Sequence, residues 1–509
     1  MDTRRRPSRW IALLAFMLSS CGVRSHRTPI SLEPSAPDLP FRQAPPAVIG
    51  DALPKLKFQS STLPNGMTIV VVERPELPVA AISWGSRAAH DDGTQSGAGL
   101  AWLVGDAVAE RVDDARERLE ERGLLVGPGV TVSRVGTSFQ FTTLSPAWKA
   151  AVDELAGMVR SPIFSPAAMA NARRRRANSM QSSSLGVLAK IHKTADEGVW
   201  GPGSPAALSI DGAGRQTHEF SDAEVRAFWR RTYRPKDSIL VAVGPFAAGD
   251  VVTVARAAFA SWADPKDAPT ADVSETPPRL RGGDRTEIKG LRAKGLARAS
   301  VAFACTGAED ENDIVFELIS HLVMGFSSFG ALQRLRVENS DTYYMHANCF
   351  ERRAAGTYFV DIDSTPEELT GTLGALLDGL DRLRQTEVDS TELTAAAMRY
   401  LGGWQTRFSS GAKLAHSITS NFEEGLGPDH LATLEERARA VTPRQVLEVA
   451  RRYMSPGQMI AVVFGDPALV DTGLEKLGTV TWSDSVEKTD IPSQIREEEQ
   501  LQRQGQRER

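Results

Sequence analysis

Chemistry needs electron-pair donors at workable spacing. Eight histidines are scattered along the 509 residues, at His26, His90, His192, His218, His321, His346, His416 and His430. No two stand three or four apart, so no helix carries a ready-made imidazole pair for a metal. His321, in Ser320-His321-Leu322-Val323-Met324, has Gly325 at i+4 where a second ligand would stand, and reads as a satisfied helix histidine. His90-Asp91-Asp92 puts ligand types in a row, but neighbours on a strand or loop point different ways, and this reads as a polar loop. No G-x-S-x-G elbow, Ser/His/Asp logic or Gly-rich phosphate loop stands out. Arg173 to Arg176 would splay over about 300° of a helix, which makes them a solvated face. The three cysteines, Cys21, Cys305 and Cys349, exclude a disulfide scaffold and a Cys-rich zinc module. Cys305 and Cys349 fall on expected strands, and either pair there or remain buried thiols.

The elements that would position such residues form a repeat. Thr137-Ser138-Phe139-Gln140-Phe141 runs to Leu144-Ser145-Pro146 and a helix from Ala147 to Val159. Thr357-Tyr358-Phe359-Val360-Asp361 runs to Ser364-Thr365-Pro366 and a helix from Glu367 to Leu383. The two prolines are 220 residues apart, each where the first helical turn favours proline after a Ser or Thr. A second pair has nearly the same offset. Ser221 caps a helix to Tyr233-Arg234-Pro235 and a strand over Ile239 to Val243. Thr442 caps a helix to Tyr453-Met454-Ser455-Pro456 and a strand over Met459 to Phe464. Two matches in the same order predict a duplication. Strands are also expected over Thr68 to Val72 and Val79 to Trp84, and a helix over Gly99 to Arg122.

The ends read differently. Arg4, Arg5, Arg6 and Arg9 precede the apolar run Ile11 to Leu18, which is too short to span a bilayer and suits a signal peptide. Leu18-Ser19-Ser20-Cys21-Gly22 resembles a bacterial lipobox, which implies lipidation of Cys21 and anchoring in the cell envelope. Gly22 rather than Asp after the cysteine resembles the default that directs lipoproteins to the outer membrane, here its periplasmic face. The expected organisation is a signal peptide (1–20), a Pro-rich tether (21–56), two α+β domains (57–262 and 288–480), a linker between them (263–287) and a charged tail (481–509). Apolar residues make up 41% and charged residues 24%, with a net charge of −5. That composition is globular and argues against nucleic acid as a partner.

The duplicated halves, Leu63-Pro64-Asn65-Gly66-Met67, Gly97-Ala98-Gly99-Leu100-Ala101, and Tyr233-Arg234-Pro235 with Leu240-Val241-Ala242-Val243-Gly244 together resemble the M16 metallopeptidases (insulinase, pitrilysin and mitochondrial processing peptidase). Gly325-Phe326-Ser327-Ser328 and Leu335-Arg336 with Tyr343 extend the resemblance into the second half. It implies an α+β fold of two homologous M16-like (LuxS/MPP-like) α/β sandwich domains, each a mainly antiparallel sheet covered by helices. Active members carry H-x-x-E-H after the G-L-A segment, where two histidines and a downstream Glu hold zinc and the inner Glu polarises its water. Here those positions are Trp102, Leu103, Val104, Gly105 and Asp106. An indole N–H only donates, and glycine has no side chain. From Leu155 to Ala195 there is neither Glu nor Asp. The family's R-x-x-x-Y substrate pair is matched by Tyr343, but Asn339 replaces its arginine, with Arg334 and Arg336 nearby.

The resemblance therefore implies a non-catalytic lipoprotein subunit without a metal. Its partner would be a zinc-bearing M16 chain, and the two would close around unfolded peptide held by Tyr343 and Asn339. Two alternatives stay open. One is an active zinc endopeptidase with atypical ligands; the other is an envelope scaffold with no peptidase partner.

Overall fold

The computed structural model describes residue 53 and residues 55–484, except 89–96, 98, 114–119, 182, 203, 205–206, 208–218, 265–282, 294–296, 326, 331–341, 343, 351–354, 428 and 471–472. The expected signal peptide, Cys21, His90-Asp91-Asp92, Asn339 and Tyr343 lie outside the described residues.

The first half is built on six strands: β1 (Gln59–Thr62), β2 (Thr68–Glu73), β3 (Val79–Ser86), β4 (Leu124–Val132), β5 (Thr137–Leu144) and β6 (Ser238–Gly244). Their order across the sheet is β1-β2-β6-β3-β5-β4. Only β2 and β6 pair in parallel. The second half has β7 (Thr286–Arg292), β8 (Ala297–Thr306), β9 (Met345–Phe350), β10 (Ala355–Ser364), β11 (Ile460–Gly465) and β12 (Gly478–Asp484). Their order is β12-β7-β11-β8-β10-β9, so five strands repeat the first sheet's layout and pairing directions. The edge strands β1 and β12 differ: β1 makes a hairpin with β2, and β12 runs parallel to β7. This is the α+β duplication that the paired Pro and Ser/Thr signals predict.

Local chemistry explains the element ends. Gly66, at φ 89°, turns the β1–β2 hairpin in a conformation that a Cβ disfavours. Asn65 pins that turn by donating to the carbonyls of Phe259 (3.0 Å) and Trp262 (3.1 Å). Helices of the first half are α1 (Leu100–Asp113), α2 (Trp148–Arg160), α3 (Pro166–Gln181), α4 (Ser183–Trp200), α5 (Asp222–Thr232) and α6 (Ala248–Phe259). Those of the second half include α7 (Asp313–Val323), α8 (Leu369–Gln385), α9 (Ser390–Phe408), α10 (Gly411–Glu423) and α11 (Pro443–Tyr453). Ser221 with Glu224 and Thr442 with Gln445 form reciprocal capping boxes at the starts of α5 and α11. Each such cap is worth about 1 kcal/mol. Both helices lead into fully buried strands, β6 and β11.

The halves join by exchanging helices. One face of the first sheet buries Ile69, Ile82, Trp84 and Phe139 against α1, α2, α5 and α6. The other face receives α10 from the second half, packed on β3, β5 and β6. Reciprocally, α4 of the first half packs on β8, β10 and β11 of the second. Gly198 makes that approach possible, because a Cβ there would lie 2.7 Å from Ile460. A buried polar chain ties this side. Asp196, 1% exposed, accepts from Arg134 and from Thr357 Oγ1 (2.6 Å), and Thr357 Oγ1 accepts from Trp200 Nε1 (2.7 Å). His192 bonds Asp361 at 3.0 Å and stacks on Phe359, with ring centroids 4.0 Å apart.

Cys305 of β8 and Cys349 of β9 form a disulfide, with their Cα atoms 6.3 Å apart. The two strands flank β10, where Cys305 faces Gly356 and Cys349 faces Tyr358 in register. The bridge therefore reaches over the start of β10, and of the two alternatives for these cysteines the paired one holds.

Candidate functional site

The positions that resemble a metal motif lie on α1. The chain enters it through Gly99, at φ 87°, with Leu100 N donating to Gly97 O (3.0 Å). Leu103, Val104, Ala107 and Val108 are buried and fix the helix's roll on the sheet. Trp102 and Asp106 remain half-buried, four residues apart on one side, where paired ligands would project. Gly105 points into the sheet. A Cβ there would sit 3.2 Å from Val130 and 3.4 Å from Val132. Glycine thus lets α1 lie close on β4 at the position where the resemblance would place the inner Glu.

The helix that faces α1 is α3, and the arginine run sits on it. The structure corrects the reading of Arg173–Arg176 as a solvated face for the buried Arg176, and gives the other three protein partners while Arg175 stays exposed. Arg173 donates to Asp222 (2.6 Å) and to the Phe220 carbonyl (2.9 Å). Arg174 donates to Asn171 (2.7 Å). Arg175 pairs with Glu110, which is 2% exposed, and donates to the Asp106 carbonyl (3.1 Å). Asn171 Nδ2 gives the same Glu110 a second bond at 3.2 Å. Arg176 is 4% exposed and lies over the Trp102 ring, 4.6 Å from its centroid. Splaying distributes the four cations among separate partners and buries Arg176, while Arg175 keeps 42% of its side chain exposed.

The helix pair that would cradle a dication thus holds an indole under a guanidinium. Trp102 Nε1 is buried with no hydrogen-bond partner, and as a donor it has no lone pair to offer a metal. Asp106 is the one oxygen donor left in the motif, and Arg175 donates to its backbone carbonyl. Among the described residues no group of three or more His, Cys, Asp or Glu is placed to hold a metal ion. The residues present do not fit a catalytic zinc, and no step is derived through one.

The equivalent pair in the second half is α7 with α9. His321 of α7 meets the Tyr400 ring edge-on at 5.9 Å, and Arg399 donates to the His321 carbonyl (3.0 Å). Burial, then Arg399, holds the His321 imidazole down to about 4, which keeps it neutral. It is a packed helix histidine, as its i+4 glycine predicts. Ser327 and Ser328 also do structural work here. Ser327 donates to the Leu322 carbonyl (2.6 Å) and Ser328 to Glu392 (2.8 Å).

Sequence reasoning missed the groups behind the first sheet. Tyr233 stacks on Trp84 at 5.3 Å, and its hydroxyl is buried without a partner. Burial raises its pKa far above the usual phenol range, and the nearby charges of Asp106 and Glu423 add to this. Glu423 belongs to α10, so Tyr233 feels acids from both halves. Only the exchange of helices brings these residues together, and no local signal marks it.

Residues 219–400 match the family described as the peptidase M16 inactive domain. That segment is similar to an M16 inactive domain, and the sequence carries no H-x-x-E-H motif. The matched segment, an inactive M16 peptidase-like domain, runs from the cap of α5 across the linker to α9. Solved structures share the fold over most of the chain. The peptidase M16 inactive domain from Pseudomonas fluorescens is 18% identical, covers 81% of this chain and 98% of its own, and superposes with a TM-score of 0.70. A protease from Helicobacter pylori is 14% identical, covers 81% of this chain and 100% of its own, and gives a TM-score of 0.71. No curated protein matches the chain.

Proposed function

We propose that this chain is a non-catalytic M16-like lipoprotein subunit that pairs with a zinc-bearing M16 chain, the two enclosing unfolded peptide. The observation that carries this reading is the Trp102–Arg176 stack, 4.6 Å apart, between the two helices that would otherwise supply ligands. A scaffold that keeps those helices packed while replacing their donors suits a wall and a holding surface. Peptide would bind by adding a strand to a sheet edge, a mode that reads backbone and tolerates many sequences. The Cys305–Cys349 bridge supports an oxidising compartment, in keeping with a lipid anchor at Cys21 on the periplasmic face of the outer membrane.

Affinity capture of the full chain from its own envelope tests the pairing. The expected result is co-recovery of an H-x-x-E-H-bearing chain, with peptide cleavage requiring both. The purified chain alone should hold no stoichiometric zinc. One tightly bound transition metal per molecule, with chelator-sensitive cleavage by this chain alone, would overturn the reading. Reproducible failure to recover a partner would favour the envelope scaffold. Cys21→Ser should release the protein into the soluble periplasmic fraction, and retention on the membrane would refute the anchor.

A further inference from the structure

The second half closes on the first through α10, and that helix ends in an acid placed where acids are costly. Glu423 is 2% exposed. It fills the room above two glycines. A Cβ at Gly85 would lie 2.8 Å from Glu423 Oε1, and one at Gly136 would lie 2.6 Å from its Cγ. One turn earlier, Thr419 Oγ1 donates to Ser83 Oγ (2.9 Å) and sets the helix on β3. Ser138 of β5 hydrogen-bonds the Glu423 carboxyl, while Oε1 has no partner.

The groups around this socket do not neutralise a carboxylate. Arg87, following β3, lies over the Phe422 ring at 5.4 Å and is paired with Asp237 at 3.6 Å. The end of α5 presents the Tyr233 hydroxyl. β6 presents Val243 to the start of α10 at Gly411. On the helix itself, Glu424 is a second acid, its own carboxyl raised to about 7 chiefly by burial, and Arg407 of α9 acts on His416. The reciprocal strap, α4, is built differently. Its Asp196 has Arg134, and its His192 has Asp361.

We propose that α10 is a proton-dependent strap, seated in the Gly85–Gly136 socket when the Glu423 carboxyl carries its proton and lifting from the first half's sheet as that proton leaves. Burial, then Glu424, raises this carboxyl well above its ordinary 4.5. A lifted strap exposes Glu423 to water, where it ionises near that ordinary value. The Glu423 contribution to the seated form is therefore complete below about pH 4.5, where the depressed His416 imidazole works against seating. It loses ground as pH rises, by up to about tenfold in the seated-to-lifted ratio per unit.

Hydrogen exchange of the full chain between about pH 5.5 and 8 reads both straps, once the intrinsic exchange rate is divided out. Protection of residues 411–423 should fall by up to about tenfold per unit, while that of 183–200 should not follow it. Glu423→Gln keeps the shape and removes the charge, so protection of α10 should be higher at neutral pH, with only the shallower fall up to about pH 7 that Glu424 contributes. Glu424→Gln should keep a falling profile, because Glu423 remains. A flat profile in the unmodified chain, an unchanged fall in Glu423→Gln, or a fall abolished by Glu424→Gln would overturn the proposal.

Discussion

The stack of Arg176 on Trp102 should be measurable as a coupling between α1 and α3. Cation–π pairs contribute about 0.5–1 kcal/mol at exposed sites and about 2 kcal/mol or more when desolvated. Arg176 is 4% exposed and 4.6 Å from the ring centroid, which places this pair at the upper end. Trp102→Leu removes the ring and leaves a buried guanidinium facing an aliphatic chain. Adding lost burial of the half-buried indole brings the expected cost to about 3 kcal/mol. Arg176→Leu removes the other partner, and the double variant closes the cycle. The coupling term should be about 2 kcal/mol, roughly a 30-fold change in an equilibrium constant. Hydrogen exchange of the α1 and α3 amides reads this locally, without requiring the two-domain chain to unfold in one step. A coupling below about 0.5 kcal/mol would show that the stack does not hold the two helices together, and the account of the replaced metal site would fail with it.

Three other outcomes follow from the same structure. Trp102→His with Asp106→His should leave metal binding weak, whereas adding Arg176→Glu should give a three-ligand site that takes up Co²⁺ with a tetrahedral absorption band; Gly105→Glu should be excluded from such a design, because overpacking against Val130 and Val132 costs about 1–3 kcal/mol. Equal Co²⁺ uptake with and without Arg176→Glu would refute that placement. Reducing Cys305–Cys349, which are 44 residues apart, should destabilise the second half by about 4 kcal/mol on the chain-entropy account; an unchanged denaturation midpoint in dithiothreitol would contradict it. His321 and His430 are each held down to about 4, chiefly by burial. His430 Nε2 meets Arg437, which can only donate, at 2.7 Å, so the imidazole is neutral and forms no ion pair with nearby Asp313. Both groups stabilise the fold above about pH 6.5 and lose that contribution as pH falls towards 4. His430→Gln should flatten the acid limb of the stability profile, and an unaltered limb would refute this.

Much of the architecture was legible because it rests on local rules. Ser221 and Thr442 mark helix starts through capping chemistry, Asn65-Gly66 marks a turn before β2, and the apolar runs at β6 and β11 mark buried central strands. Their spacing is enough to reveal the duplication. The loss of ligand types at Trp102 and Gly105 is equally visible, because it concerns what side chains can donate. What fills the gap was not visible. Four consecutive arginines look solvated until α3 is known to face α1, and then each guanidinium has a partner of its own. Asp196 and Glu423 carried no signal at all, since their surroundings come from the opposite half and depend on where α4 and α10 travel. The cysteine pairing depended on the strand order β8-β10-β9, which spacing alone does not give.

The crossed arrangement of α4 and α10 has a consequence for how the polypeptide matures. When the first half leaves the ribosome, or emerges through a translocation channel, Ala81, Val241 and Val243 line a sheet face whose cover lies at residues 411–423, far downstream. That face must wait, apolar and open, until nearly the whole chain has arrived. Expressing the halves as separate polypeptides should therefore yield aggregation-prone fragments that become soluble only when produced together.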